Sequence, residues 1–378
     1  MSLKNFKTLK LAFIGGGINS SIGKMHYLSS QLDKKFILVA GCFSSNHKVN
    51  VQTAKEWNID LGRTYKNINE LVDKEKKNVD AFVLLLPTPQ HFNILIKLIK
   101  LNLTIISEKP LVANIRESKK LYNLIKNLRY NKLYITYNYS GYSMIREIKK
   151  IIKRKKLGKI IHFNFKMPQD SFLLKFIKNK IKKWRMSDST IPTIFLDLGI
   201  HLYSLSLFLF NENPKKIIGN NSYLYLKNKK IVDNVKVWLK YTNFSGSFWF
   251  SKSSLGNRNS LSLSIFFEKG SLEWKQKSND VLQINFNDGT NRIFDRSCKL
   301  IEANKKRYSR YSAGHPSGFL EAFANIYSDI ADNIKNNKFQ NDYVFRYGDA
   351  LDGMYFLDKL NDSSNKNKWL SLDFKNKK

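Results

Sequence analysis

Cysteine is nearly missing from this chain: Cys42 and Cys298 are the two in 378 residues. Two cysteines build no disulfide framework. Neither sits in a Cys/His spacing suited to a metal, so a reducing compartment, the cytoplasm, is expected, and no metal. Acidic residues are also scarce: 30 Asp and Glu stand against 65 Lys and Arg, a formal net charge of +35. Such an excess invites nucleic acid or an anionic membrane. The lysines, however, are scattered along a chain rich in asparagine and isoleucine, and no nucleic-acid motif accompanies them. They read as solvated side chains. The densest cluster, Lys149 to Lys156, carries Ile145, Ile148, Ile151 and Ile152 at helical spacing, which makes it the basic face of an amphipathic helix. No run is long enough to span a bilayer. The apolar stretch before Ile14 is too short for a signal core and is needed as a strand. Internal repeats and long low-complexity linkers are absent.

What is present starts with a strand pattern, Lys10 to Ile14, followed by Gly15-Gly16-Gly17 and a segment with apolar residues at helical spacing: Ile22, Met25, Leu28 and Leu32. Strand, glycine turn and helix form the setting in which backbone N–H groups cradle a pyrophosphate. Gly15 and Gly17 match the first two glycines of G-x-G-x-x-G. The third comes late, at Gly23, after Asn19-Ser20-Ser21, so an ordinary strand-to-helix turn stays open on this segment alone. A second strand, Phe36 to Phe43, ends in Ser44-Ser45-Asn46, without the carboxylate that grips the ribose in NAD-preferring sites. Ser44 and Ser45, with Lys48 near, suit a ribose hydroxyl or a 2′-phosphate. NAD and NADP both stay open, with a lean to NADP.

Three more strands follow, alternating with helices. Asp80 to Leu86 is closed by Pro87-Thr88-Pro89-Gln90-His91, Leu103 to Ser107 delivers Glu108-Lys109-Pro110, and Lys132 to Thr136 is the fifth. This alternation implies a parallel sheet covered on both faces, with ligands at the carboxyl ends of the strands. Beyond Tyr142 the pattern becomes two-residue alternation in Lys159 to Lys166, Val235 to Tyr241, Gly246 to Lys252, Leu261 to Phe267, Ser271 to Lys275 and Leu282 to Asn287. Helices at Phe195 to Phe210, Phe319 to Lys335 and Tyr347 to Leu360 bracket these strands. The expected architecture is therefore an N-terminal α/β Rossmann dinucleotide-binding domain, residues 1–140. An α+β domain, residues 141–378, follows, with a large, mostly antiparallel, open-faced sheet flanked by helices. Such a sheet can floor a substrate pocket and can pair with its twin in a homodimer or homotetramer.

Gly15-Gly16-Gly17, Thr88-Pro89-Gln90-His91, Glu108-Lys109-Pro110 and Asp197-Leu198-Gly199-Ile200-His201, in this order over nearly the whole chain, resemble the Gfo/Idh/MocA oxidoreductases. Asn138 to Tyr142 and Gly314 to Gly318 resemble one subgroup more closely. Two departures stand out: a bulky approach to the aspartate, Ile191 to Leu196, and Gln90 in place of the usual asparagine. The resemblance implies an NAD(P)-dependent dehydrogenase acting on a secondary alcohol of a sugar or polyol. It implies cofactor contacts at Gly15, Gly17, Asn19, Ser44, Ser45, Thr88, Pro89, His91, Glu108 and Lys109. It also implies His201 as acid/base, Lys109 on the reacting oxygen, and Asp197 orienting substrate or tuning the pair.

The chemistry of the residues agrees. Alcohol oxidation needs a base for the hydroxyl proton and a positive group for the developing alkoxide. Asp197 and His201, four apart on a helix, share a face, and histidine titrates near neutrality. Tyr137, Asn138 and Tyr142 either line the pocket or pack a domain junction. His315 is either a substrate contact or part of a plain turn. Trp184 falls in the basic stretch Lys175 to Arg185, which suits an acidic substrate such as a sugar phosphate. For His91 a structural role is equally open, and His26 reads as structural. Two other classes stay in view: a cofactor-binding sensor or scaffold without turnover, and a basic nucleic-acid-binding protein.

Overall fold

Leu9–Gly15 is apolar at all but one of its interior positions and forms a buried strand, β1. In the computed structural model, which describes residues 7–174, 186–226, 230–336 and 342–374, it is the first strand of a six-stranded sheet. Trp184 and the basic stretch around it lie outside the described residues. The sheet is completed by β2 (Phe36–Cys42), β3 (Ala81–Leu85), β4 (Ile105–Ser107), β5 (Leu133–Ile135) and β14 (Phe345–Arg346), in the order β14-β5-β4-β3-β1-β2. The first five are parallel, and β14 adds an antiparallel edge. The order reverses between β1 and β3, the switch point beside which doubly wound sheets bind ligands.

Five helices connect these strands: α1 (Ser21–Gln31), α2 (His47–Glu56), α3 (Ile68–Glu75), α4 (His91–Lys100) and α5 (Ile115–Asn127). Three begin on an asparagine cap: Asn46 accepts from Lys48 N, Asn67 from Glu70 N and Asn114 from Glu117 N. The face that α1 buries differs from the expected one. Gly23, His26, Ser29 and Ser30 are buried, whereas Leu28 and Leu32 are exposed. Small residues allow the helix a closer approach than a leucine stripe would.

Two compact units emerge: Met1–Gly141 with Phe319–Leu351, and Tyr142–Gly318 with Asp352–Lys378. The expected single division, 1–140 and 141–378, is corrected by the return of Phe319–Leu351 to the first unit. The helix Phe319–Asn336 sends Phe323, Ile326, Tyr327 and Ile330 into the same core as Phe13, Leu38 and Val83. Its apolar face was legible; the sheet it covers was not.

The second unit holds α6 (Ser143–Arg154), α7 (Ile200–Phe210) and a nine-stranded sheet. That sheet contains β6 (Ile160–Pro168), β7 (Lys216–Ser222), β8 (Asn234–Lys240), β9 (Ser245–Ser251), β10 (Ser262–Phe267), β11 (Gly270–Lys275), β12 (Leu282–Phe286), β13 (Asn291–Phe294) and β15 (Leu370–Ser371), ordered β13-β12-β11-β10-β6-β9-β8-β7-β15. Its pairings are antiparallel except β6 with β9, which run parallel. One face is aromatic: Phe163, Phe165, Phe248 and Phe250 are buried, with Phe163 and Phe210 ring centroids 4.8 Å apart. The other face is mostly polar, with Trp238, Trp249 and Phe266 among its shorter side chains. Ser247 donates to Asn164 at 2.6 Å, and His162 Nδ1 lies 2.8 Å from Ser245 Oγ.

Candidate active site

In the first unit, the backbone leaves β1 through two glycines with left-handed conformations, Gly15 (φ 81°) and Gly16 (φ 74°), where a side chain would be strained. A Cβ on Gly16 would meet Leu85 Cδ1 at 2.5 Å, and one on Gly23 would meet Gly16 O at 1.9 Å. The late third glycine is therefore what lets α1 sit against the turn. Gly17 has an ordinary φ, and its N–H donates to Phe43 O at 3.1 Å. Ser20 caps α1 by accepting from Gly23 N, and Asn19 is exposed on the turn. A helix N-terminus behind left-handed glycines fits a dinucleotide pyrophosphate.

The other strand ends carry the remaining expected residues. After β2, Ser44 N donates to Asn50 Oδ1 (2.7 Å) and Asn50 Nδ2 to Ser44 O (2.9 Å), which fixes the loop and leaves Ser45 exposed. The residues from Ser44 to Asn50 include no carboxylate. After β3, Thr88 is buried and Pro89 exposed. His91, open between a cofactor contact and a structural role, turns inward. It is buried, with Nε2 2.8 Å from Leu86 O and Nδ1 3.1 Å from Pro110 O. Burial pushes its pKa down. The ring ties the β3 and β4 exits together.

The Glu108 side chain, expected at the cofactor, also turns inward. His26 Nε2 lies 3.0 Å from Glu108 Oε1, Thr136 Oγ1 donates to the same oxygen at 2.5 Å, and His26 Nδ1 lies 2.6 Å from the Tyr327 hydroxyl. Burial alone would raise the Glu108 carboxyl. The hydrogen bond and charge of His26, with Lys109 and Thr136, outweigh it and hold the carboxyl below its ordinary range. An ionised Glu108 can only accept, so His26 Nε2 donates to it, while Nδ1 faces the Tyr327 hydroxyl. Burial and the Glu108 charge keep that tyrosine hydroxyl protonated. This network fixes the residue before Lys109, which stands half-buried at the end of β4. After β5, Tyr137 is buried with its ring 4.8 Å from Phe345, and Asn138 is buried beside it in sequence. The Tyr137 hydroxyl and Asn138 Nδ2 find no hydrogen-bond partner among the described residues.

In the second unit, Asp197 falls within one π-helical turn, Phe195–Gly199, that runs directly into α7 and brings the buried His201 one turn later. π-Turns are rare and gather at functional sites. Gly199 belongs here for space: a Cβ would meet the Phe250 ring at 3.0 Å. Asp188 anchors the approach by accepting from Thr193 N and Val232 N, both at 2.8 Å. Lys252, which no motif marks, follows β9 and places Nζ 2.7 Å from Asp197 Oδ2. Tyr142, expected as a substrate contact, is instead packed: its ring lies 5.3 Å from Trp274 and its hydroxyl accepts from Gln276. His315 is exposed in its loop.

Residues 9–134 match the family described as the oxidoreductase family, NAD-binding Rossmann fold, and residues 145–273 match the GFO/IDH/MocA C-terminal domain. The chain belongs to the Gfo/Idh/MocA oxidoreductases. It is 24% identical over 380 residues to an uncharacterized oxidoreductase, YfiI, of Bacillus subtilis (strain 168), covering 95% of each chain. To a levoglucosan dehydrogenase of Pseudarthrobacter phenanthrenivorans it is 23% identical, over 74% of this chain and 77% of that one. The fold is similar to that of an inositol dehydrogenase homolog from Azotobacter vinelandii complexed with NADH and myo-inositol. There the TM-score is 0.86 at 21% identity, covering 97% of this chain and 98% of that one.

Proposed function

We propose that the protein oxidises a secondary alcohol of a sugar or polyol with NAD or NADP, in a reaction His201 serves as base. The observation that carries this reading is the pair Asp197 and His201, one turn apart on a π-to-α helix, in a chain whose first unit carries a dinucleotide turn. When bound, the nicotinamide supplies the hydride acceptor. In this reading His201 takes the hydroxyl proton, Asp197 orients the substrate hydroxyl, and Lys109 stabilises developing negative charge. The unpartnered Tyr137 hydroxyl and Asn138 amide are polar groups that a ligand would satisfy. Relatives named for levoglucosan and crystallised with myo-inositol support a polyol or anhydrosugar. The loop at Ser44 and Ser45 holds nothing that repels a 2′-phosphate.

The test is to incubate the protein with NAD and NADP against polyols, anhydrosugars, sugar acids and nucleotide sugars and to follow nicotinamide absorbance. Turnover of a polyol or sugar is expected. Cofactor binding without turnover of any substrate would instead favour a sensor. Among the described residues no helix is long and apolar enough to cross a membrane; a cytoplasmic enzyme is our reading of its two free cysteines. Assembly through the polar face of the nine-stranded sheet, as a dimer or tetramer, completes the reading.

A further inference from the structure

Lysine is the commonest way for this chain to carry charge, yet among the described residues Lys252 alone of the lysines is buried. Its side chain is 4% exposed and its Nζ lies 2.7 Å from Asp197 Oδ2, on a carboxylate that is itself 20% exposed. Burying an ammonium is unfavourable unless it is paired, so a lysine held this way has a reason to be there. Three separate segments hold it. Its N–H donates to Asp233 O at 2.9 Å, its carbonyl accepts from Phe172 N at 3.0 Å, and its Nζ stands 5.4 Å from the Phe172 ring centroid. The strand β9 delivers it from one side and the π-turn delivers Asp197 from the other.

We infer that Lys252 is a positioning residue for the reaction: it fixes the Asp197 carboxylate in one orientation on the turn that precedes His201. The inference rests on the dehydrogenase reading, because it takes Asp197 as part of the reacting site. A π-turn holds its residues off the regular helical register, so a carboxylate there needs a contact from outside the helix to settle its direction. Lys252 supplies that contact from a rigid strand end. Its own charge is spent on Asp197 and on the Phe172 ring, which assigns it to holding the carboxylate, not to binding substrate directly.

Lys252→Met keeps the apolar stem and removes the ammonium. On the substrate that the wild-type protein oxidises, kcat and kcat/KM should fall together by about 10²-fold, the order that a misplaced catalytic group costs. Cofactor affinity, measured by calorimetry, should not change. Lys252→Arg retains the charge and should recover much of the loss. In an Asp197→Asn background, Lys252→Met should cost little further, because its target is gone. A Lys252→Met enzyme with wild-type kcat, or an equal loss in the Asp197→Asn background, overturns the inference. If no sugar or polyol is oxidised by the wild-type protein, the dehydrogenase reading fails on its own. The positioning claim is then decided by the crystal structure of Lys252→Met: an Asp197 carboxylate displaced from its wild-type direction supports it, and an unmoved carboxylate overturns it.

Discussion

Single side chains decide the chemistry proposed here. His201→Ala should lower kcat by about 10²–10⁴-fold while leaving cofactor binding intact, the usual loss for a general acid/base. Lys109→Ala should reduce turnover at least as much, since the developing alkoxide loses its main positive partner. The two losses should not add if both serve one transition state, and steady-state kinetics on the double mutant checks this. Full additivity would mean that the two act in separate steps. Glu108 acts differently, through stability. Its folded-state pKa lies below the ordinary carboxylate value, so the unfolded chain binds more protons in the window between the two. The Glu108 contribution is fully present above about pH 4.3 and is lost as pH falls through the lower folded value. Urea unfolding followed from neutral pH downward should show this acid loss. His26→Ala leaves the buried carboxylate without its main partner and should cost about 3 kcal/mol at neutral pH, with the acid slope weakened. A variant as stable as wild type would show that solvent reaches Glu108.

Elements differ in how openly the chain displays them. β1, β3 and β4 were readable because buried parallel strands are continuous apolar runs. α1 was readable as a helix from its spacing, but its buried face was not, since that face is made of Gly23, His26, Ser29 and Ser30. The strands β7 and β13 carry too few apolar residues to stand out: the first ends in Gly219-Asn220-Asn221-Ser222 and the second exposes Ile293. The parallel pairing of β6 with β9 leaves no mark either, because alternation is the same in both directions. The π-turn at Asp197 looks like ordinary helix in sequence. Gly23 offers the sharpest test of an element. Gly23→Ala places a methyl against the Gly16 carbonyl and forces α1 off the turn. Calorimetry should register a loss of dinucleotide affinity of at least tenfold, about 1.4 kcal/mol, with the second unit still folded by circular dichroism. Unchanged affinity would remove the pyrophosphate from this turn.

Across the whole molecule, the polar face of the nine-stranded sheet leaves Trp238 55% exposed among Lys236, Lys240 and short serines. Large exposed apolar groups on a serine-rich sheet suit a partner surface of the same kind. Trp238→Lys should shift sedimentation toward the monomer while leaving the fold intact, and an unchanged species would place the interface elsewhere. The composition and strand-end motifs of the chain determined by themselves that a dinucleotide-binding sheet precedes a larger alternating sheet. They also determined which residue types stand at the strand ends, because both follow from local periodicity and from turn chemistry carried within a few residues. Tertiary structure alone decided that Phe319–Asn336 returns to the first core, that Glu108 and His91 face inward, and that Lys252 meets Asp197. Apart from His91, which is held by Leu86 and Pro110 nearby in the chain, each of these depends on distant segments meeting at one point, and no local pattern records such a meeting.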